Sequence, residues 1–359
     1  MTKKNGKIEL MRFFFTIFIV LFHINLQTWN LEKGFTEHIS FWSHGTIGVE
    51  FFFLVSGFLL ARHVARRREN DSSSALPDYD ALGQDTVRFL WGKIRGLLPY
   101  HIPFCVVMFV LCALKGTSLS VLLLSIPSLL FMNRTGFVTG NNLLGTEWYI
   151  SSMLMAMAVL YPLLRRYGKT FSCVIAPFIG IILMGWINNS FQAISKSSSW
   201  NGILFICNLR AIGELCLGLA CYEVCSALQK VEFSHKQRVL ISVIEFLCYA
   251  LSFCYIISFA GRELEIMILM LFCVAVTLSF SQKGIFGKSP LFQNKICTFL
   301  GGVSLPIYLI QNIFLYAVPR FGTPQVPKWQ AVWIFVLTVV FGILSYAVYN
   351  FVQNRRRNR

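Results

Sequence analysis

Three ionisable side chains, Glu9, Arg12 and His23, share one face of the first apolar stretch. Arg12 and His23 are eleven residues apart, about 20° past three full helical turns, and Glu9 stands about 40° from His23 on the same face. His23 is then about 16 Å deeper than Arg12, beyond the bilayer midplane and in its outer half. An imidazole held there is suited to general-base work, taking the proton of a hydroxyl. Glu50 opens the second apolar stretch, which runs back the other way, so it is expected at the depth of His23. A carboxylate accepting from one ring nitrogen fixes the tautomer and leaves the other nitrogen basic, and Glu50 is expected to orient His23 in this way. A lone transmembrane histidine can also be a packing hydrogen bond. Arg12 and Glu50 at matching positions make that reading of His23 less economical.

Other charges fall inside apolar stretches, where insertion costs make each one a candidate for function. Arg210 and Glu214 lie one helical turn apart; they are either a structural i,i+4 pair or a substrate contact, with Arg210 available to a developing oxyanion. Glu147 and Trp148 open another stretch, as substrate contacts or as ordinary interface anchors. Glu245 is isolated and has no assigned role. The string Arg88-Phe-Leu-Trp-Gly-Lys-Ile-Arg95 mixes basic and aromatic residues like an interfacial helix, and Lys93 and Arg95 are candidates for an anionic ligand. The 11 cysteines are scattered, mostly in apolar runs and without a C-x-x-C pair, so neither a metal nor a disulfide is expected.

Such residues need elements that hold them across a membrane. Of the 359 residues, 55% are hydrophobic and only 13% charged, about half the charge of a soluble domain. That composition excludes a soluble enzyme, a disordered regulator and a secreted disulfide scaffold. Candidate spans cover 8–28, 46–62, 98–114, 147–164, 171–187, 203–225, 239–259, 264–281, 299–318 and 330–352. The fold class is therefore all-α, a polytopic integral membrane protein of about ten transmembrane helices forming a single domain over 1–359. The N-terminus resembles the start of a signal peptide, but Arg12 and His23 within the run, and the missing small-residue cleavage site, mark a retained first helix.

An eleventh apolar stretch, 119–132, is short and contains Pro127. If it does not cross, 24 of the 32 basic residues fall on one side, including Lys3, Lys4, Lys7, the Arg66-Arg67-Arg68 run and the tail from Arg355 to Arg359. The opposite side holds Lys33, Lys115, Arg134, Lys196, Arg262, Arg320 and Lys328. If it crosses, every later loop flips and the asymmetry collapses. Ten helices with cytoplasmic N- and C-termini is thus the expected topology. A cytoplasmic loop at 63–97, solvated around Ser72-Ser73-Ser74, and a short basic tail at 353–359 complete it. The net charge of +16 is explained by this topology and by contacts with membrane lipids; no nucleic-acid module or partner is read.

The same residues sit in strings resembling the membrane acyltransferase 3 family. Arg12, ten residues and His23 resemble that family's R/K-x10-H signature. Gly48-Val-Glu50-Phe-Phe-Phe-Leu-Val-Ser56-Gly57-Phe58-Leu59 is similar to its second-helix motif, and Glu147-Trp148-Tyr149-Ile150-Ser151 and Val303-Ser304-Leu-Pro-Ile-Tyr308-Leu309 to later landmarks. The resemblance spans nearly the whole chain. It implies a membrane-bound O-acyltransferase that moves an acyl group, acetyl above all, from cytoplasmic acyl-CoA to a cell-surface or lipid-linked glycan. It implies a multi-pass protein of a bacterial cytoplasmic membrane, with His23 catalytic, Arg12 in the catalytic or donor machinery, and basic residues after the first cytoplasmic loop helping to hold the co-substrate. Two departures stand out. The family's R-x-x-R before a proline reads Lys93-Ile-Arg95-Gly96-Leu-Leu-Pro99 here, and its late Tyr-Leu-x-His reads Tyr308-Leu-Ile-Gln311. Gln311 offers hydrogen bonds but no proton chemistry. In this reading Lys93, Arg95 and Arg12 hold the donor, Glu9, Ser56, Glu147, Trp148, Arg210 and Gln311 approach the substrates, and direct transfer is preferred to a covalent intermediate because Ser56 is equally explained by helix packing through Gly57. A transporter or flippase of a lipid-linked glycan, or a non-catalytic membrane assembly partner, remains the alternative at this level.

Overall fold

The computed structural model describes residues 4–31, 42–70, 78–138, 143–195, 199–258, 261–287, 289–322 and 327–357. Among them, ten helices are long and apolar enough to cross a membrane. In chain order the helices are α1 Gly6–Leu31, α2 Gly48–Asn70, α3 Tyr79–Leu114, α4 Leu119–Leu124, α5 Trp148–Tyr167, α6 Ala176–Phe191, α7 Ile206–Gln229, α8 His235–Ile257, α9 Glu265–Ser281, α10 Lys295–Phe321 and α11 Pro327–Arg357. The exception to spanning length is α4, which a 3-10 turn at Ile126–Leu130 follows; the ambiguous 119–132 stretch is therefore two short helical pieces. Lys3, Lys33, Lys196, Lys288, Arg359 and the Ser72–Ser74 patch, on which part of the topology reading rests, lie outside the described residues.

Local chemistry sets where the helices begin. The Asn5 side chain accepts from the backbone N–H groups of Lys7 and Ile8, and Asn294 accepts from Cys297, each satisfying orphan donors of a first turn. Ser234 and Gln237 cap α8 reciprocally. Asn5 also donates to the Ser279 carbonyl at 2.8 Å, fixing the start of α1 against the end of α9.

The connection expected at 63–97, with a solvated stretch over 69–86 and an interfacial helix near 88–95, is helical over most of its length. α2 runs on to Asn70, and Tyr79 to Leu114 is one helix of 36 residues, about 54 Å against a hydrocarbon core of about 30 Å. Its extramembrane turns are not solvated coil, because Leu82, Asp85, Phe89 and Lys93 recur at helical spacing on a covered face. Asp85 is the pin: it accepts from Tyr161 Oη at 2.7 Å and pairs with Arg165 at 3.1 Å and Arg67 at 2.6 Å, while Phe89 stacks on Tyr161. The tail is likewise helical, since α11 continues to Arg357.

At the centre α2 and α7 run side by side, and α11 is the span least covered by the rest of the protein. A Cβ on Gly57 would strike the backbone of Leu215, and one on Gly218 would strike the Leu54 carbonyl and the Gly57 backbone. The two glycines let the helix backbones touch, as small residues do where lipid supplies no hydrophobic drive for helix association. Gly57→Ala or Gly218→Ala should cost at least about 2 kcal/mol, read as a lower melting temperature in detergent, because the obstruction is backbone rather than a movable side chain. Gly185→Ala on α6, where a Cβ meets nothing, should leave the melting temperature unchanged.

Candidate active site

α1 and α10 hold the histidine. His23 Nδ1 lies 3.2 Å from Gln311 Oε1, and Gln311 Nε2 donates to the Tyr308 carbonyl at 2.8 Å. A carbonyl only accepts, so the nitrogen of the Gln311 amide must face Tyr308 and its oxygen must face the imidazole. The hydrogen is then on Nδ1, and Nε2 carries the lone pair. Gln311 supplies the orientation that was expected of Glu50.

Glu50 is turned to another partner. Its carboxylate lies 2.5 Å from Arg210 Nη2, while Arg210 Nε donates to Glu214 at 3.0 Å. All three side chains are buried, and the guanidinium lies over the Trp148 ring at 5.4 Å. The reason for the correction is electrostatic: a buried carboxylate gains far more from a guanidinium than from a neutral imidazole. Glu50, Arg210 and Trp148, read separately along the chain, are thus brought into one cluster that locks α2, α5 and α7. With two carboxylates and a ring around it, Arg210 is engaged as a structural cation, and it does not line the cavity described next.

A cavity of about 220 Å³ opens between α1, α2, α3, α5 and α10. Arg12, Ser56, Lys93, Tyr149, Ser304 and Tyr308 give its polar wall. Thr16, one turn from Arg12 towards His23, adds a hydroxyl that the helical spacing alone would have found. Ser56 Oγ and Tyr149 Oη face each other at 3.2 Å, and Tyr308 Oη donates to the Thr146 carbonyl at 2.7 Å. Gln311 is one turn beyond Tyr308, so His23 lies past the end that Tyr149 and Tyr308 form. Lys93 also lines a second groove, of about 360 Å³, with His63, Arg67, Arg88 and Phe89.

Several expected contacts move. Glu9 faces Arg12 Nη1 at 3.2 Å and Lys4 at 3.7 Å and fills the space left by Gly301 on α10, so it steadies Arg12 rather than reaching a ligand. Arg95 is exposed and lines neither cavity, whereas Arg67 and Arg88 line the groove with Lys93; the interfacial helix expected over 88–95 pointed to Lys93 and Arg95 but not to Arg67, which α2 supplies. Glu147 is buried, accepting from Ser151 Oγ at 3.4 Å, close to His101 and Cys105. Those two residues, one turn apart on α3, carried a spacing signal that a reading of cysteines as apolar filler passed over. Glu245 acquires a partner: it pairs with Lys7 at 2.7 Å and accepts from Ser279 at 2.7 Å, fastening α1 to α8 and α9.

A family model described as an acyltransferase domain matches residues 5–347, from the cap of α1 into α11. The chain belongs to this acyltransferase family. No curated protein and no solved structure matches it. The acyltransferase is thus a multi-pass membrane protein whose family match takes in both cavities, the Arg210 cluster and His23. Its departure from the resembled late Tyr-Leu-x-His string has a structural counterpart: Gln311 stands against His23 as a neutral acceptor.

Proposed function

We propose that this membrane acyltransferase moves an acyl group, acetyl in the simplest case, from cytoplasmic acyl-CoA to a hydroxyl of a cell-surface or lipid-linked glycan, with His23 as the general base. The observation that carries the reading is the Tyr308–Gln311–His23 chain, which leaves a lone pair on His23 Nε2 just past the end of a cavity whose other end reaches Lys93. His23 Nε2 takes the acceptor's hydroxyl proton as its oxygen attacks the thioester carbonyl. The tetrahedral oxyanion collapses, the carbon–sulfur bond breaks, and the imidazolium returns its proton to the departing thiolate. Ser56 and Tyr149 hydroxyls are the neutral donors in the cavity wall for that oxyanion, whereas Arg12, turned to Glu9 about three turns back along α1 from His23, belongs to the donor end. This assignment takes the place of Arg210.

Donor phosphates belong in the groove at Arg88 and Lys93, where Asp85 is already neutralised by Arg67 and Arg165, and Lys93 joins it to the cavity that the acyl arm would follow. Lys93→Ala and Arg88→Ala should each raise KM for acyl-CoA by roughly ten-fold or more with little change in kcat, the cost of a lost charge-assisted hydrogen bond. Arg95→Ala should behave as wild type; if Arg95→Ala alone raises KM, the donor lies elsewhere. The proteins are assayed in proteoliposomes with labelled acyl-CoA.

The acceptor is sought by mass spectrometry of envelope glycans from cells with and without the protein. Acyl esters missing only in its absence, and restored by wild type but not by His23→Ala, support the reading. A His23→Ala strain that keeps the esters would sink it, and one that fails to export the glycan itself would favour a transporter.

A further inference from the structure

Apart from the cavity and the buried ion pairs, a further polar group is buried at His101, Cys105 and Glu147. His101 and Cys105 lie one turn apart on α3, and Glu147 ends the short 3-10 turn that leads into α5. One ligand atom from each, a ring nitrogen, the sulfur and a carboxylate oxygen, all lie within 4.8 Å of one another. We propose that these three side chains bind one divalent transition-metal ion, zinc by its donor set, which ties α3 to the start of α5.

Three independent features point to an ion. First, the His101 tautomer is set for one. Nε2 lies 3.0 Å from the Ser128 carbonyl, which only accepts, so the hydrogen is on Nε2 and the Nδ1 lone pair is free. Donation of the second ring nitrogen to a carbonyl is the usual outer support of a metal-bound histidine. Cys105 Sγ lies beside the ring, 3.7 Å from Nε2 and 3.8 Å from Nδ1, the latter near the separation of about 3.6 Å that nitrogen and sulfur take up around tetrahedral zinc.

Second, Glu147 has an oxygen with nothing to bond. Oε1 accepts from Ser151, but Oε2 is buried without a hydrogen-bond partner, and among the described residues no cation pairs with this carboxylate. An orphaned carboxylate oxygen is expensive in an apolar interior, and a metal ion removes that cost. Third, the charges close. A thiolate, a carboxylate and a neutral imidazole around a dication form a neutral unit, suited to surroundings where Phe131 stacks on His101 at 4.0 Å.

The ion would be structural. Cys105 and Glu147 have no exposed surface, and none of the three residues lines the cavity or the groove. A nucleophilic role for Cys105 would need an opening to it. What the ion braces is plain from the neighbours. His101 holds Ser128 of the 119–132 segment, and Glu147 precedes Trp148, which covers Arg210. The proposal does not depend on the identity of donor or acceptor.

The test is elemental analysis of the full-length protein, expressed in zinc-supplemented medium and purified in detergent without chelators. About one zinc per chain is expected, with Cys105→Ser and Glu147→Gln each weakening retention at least about ten-fold. Replacement of the ion by cobalt in the wild-type protein should produce thiolate-to-metal charge-transfer absorption. Folded, monodisperse wild type that holds only traces of metal and gives no cobalt absorption overturns the site without recourse to any variant. Full zinc content in Cys105→Ser overturns it as well, because the ion would then lie elsewhere.

Discussion

His23→Ala should lower acyl transfer by at least about 10²-fold while the protein remains folded and monodisperse in detergent. The expectation follows from what the side chain does and does not hold together. Across the helix interface its partner is Gln311, which keeps its own bond to the Tyr308 carbonyl when the ring is gone, and its other contact is to the Ile19 backbone of its own helix. Little structure is lost, but the base is. Gln311→Ala should give a smaller loss, because the imidazole remains and only its orientation and tautomer are released. His23→Gln separates shape from chemistry: it can hydrogen-bond to Gln311 yet cannot take a proton. If His23→Gln retains most of the rate in single-turnover assays with labelled acyl-CoA, general-base catalysis by this residue is wrong.

Arg210→Met should be the most destabilising single change in the bundle, by about 3–5 kcal/mol, because it leaves Glu50 and Glu214 buried without a cation. The effect should be visible as a large fall in melting temperature and as aggregation on solubilisation. Much of the damage comes from the uncompensated carboxylates. The triple change Arg210→Met, Glu50→Gln, Glu214→Gln should therefore recover a large part of the stability, since removing a whole buried ion cluster is often near neutral. An Arg210→Met protein that melts with wild type would mean that the carboxylates are not held by this guanidinium. The cluster lies two turns from the Gly57–Gly218 contact, so α2 and α7 are registered at two levels: charge at one and backbone touching at the other.

Much of this molecule was legible along the chain. Apolar runs of spanning length are dictated by bilayer thickness, a constraint that acts on each helix separately, and all ten candidate spans have counterparts in the structure. Length and Pro127 left 119–132 ambiguous and the distribution of basic residues spoke against a crossing; the structure has no helix of spanning length there. Which residues share a helix face is also a local matter: Arg12 and Thr16 line one cavity because 3.6 residues make a turn. The resemblance to the acyltransferase family rested on strings of this local kind, and the family match covers the same residues.

Partner choice was not legible in the same way. Depth along two helices placed Glu50 beside His23, but depth says nothing of which neighbour lies across the interface; α7 supplied Arg210, and a charged partner outcompeted a neutral one. The polar turns before span three read as loop because charge outweighs periodicity in a sequence window, whereas Asp85 is buried by two arginines and a tyrosine from other helices. Cys105 read as an apolar filler until Glu147, forty-two positions on, came within reach of it and His101. The sequence by itself determined the crossings, the faces and the family, because these depend on the bilayer and on helical geometry within one segment. Only the tertiary structure decided which charges neutralise one another, which nitrogen of His23 is free and which basic residues share a groove. Those outcomes depend on helices distant in sequence meeting at distances where a hydrogen bond or an ion pair can form.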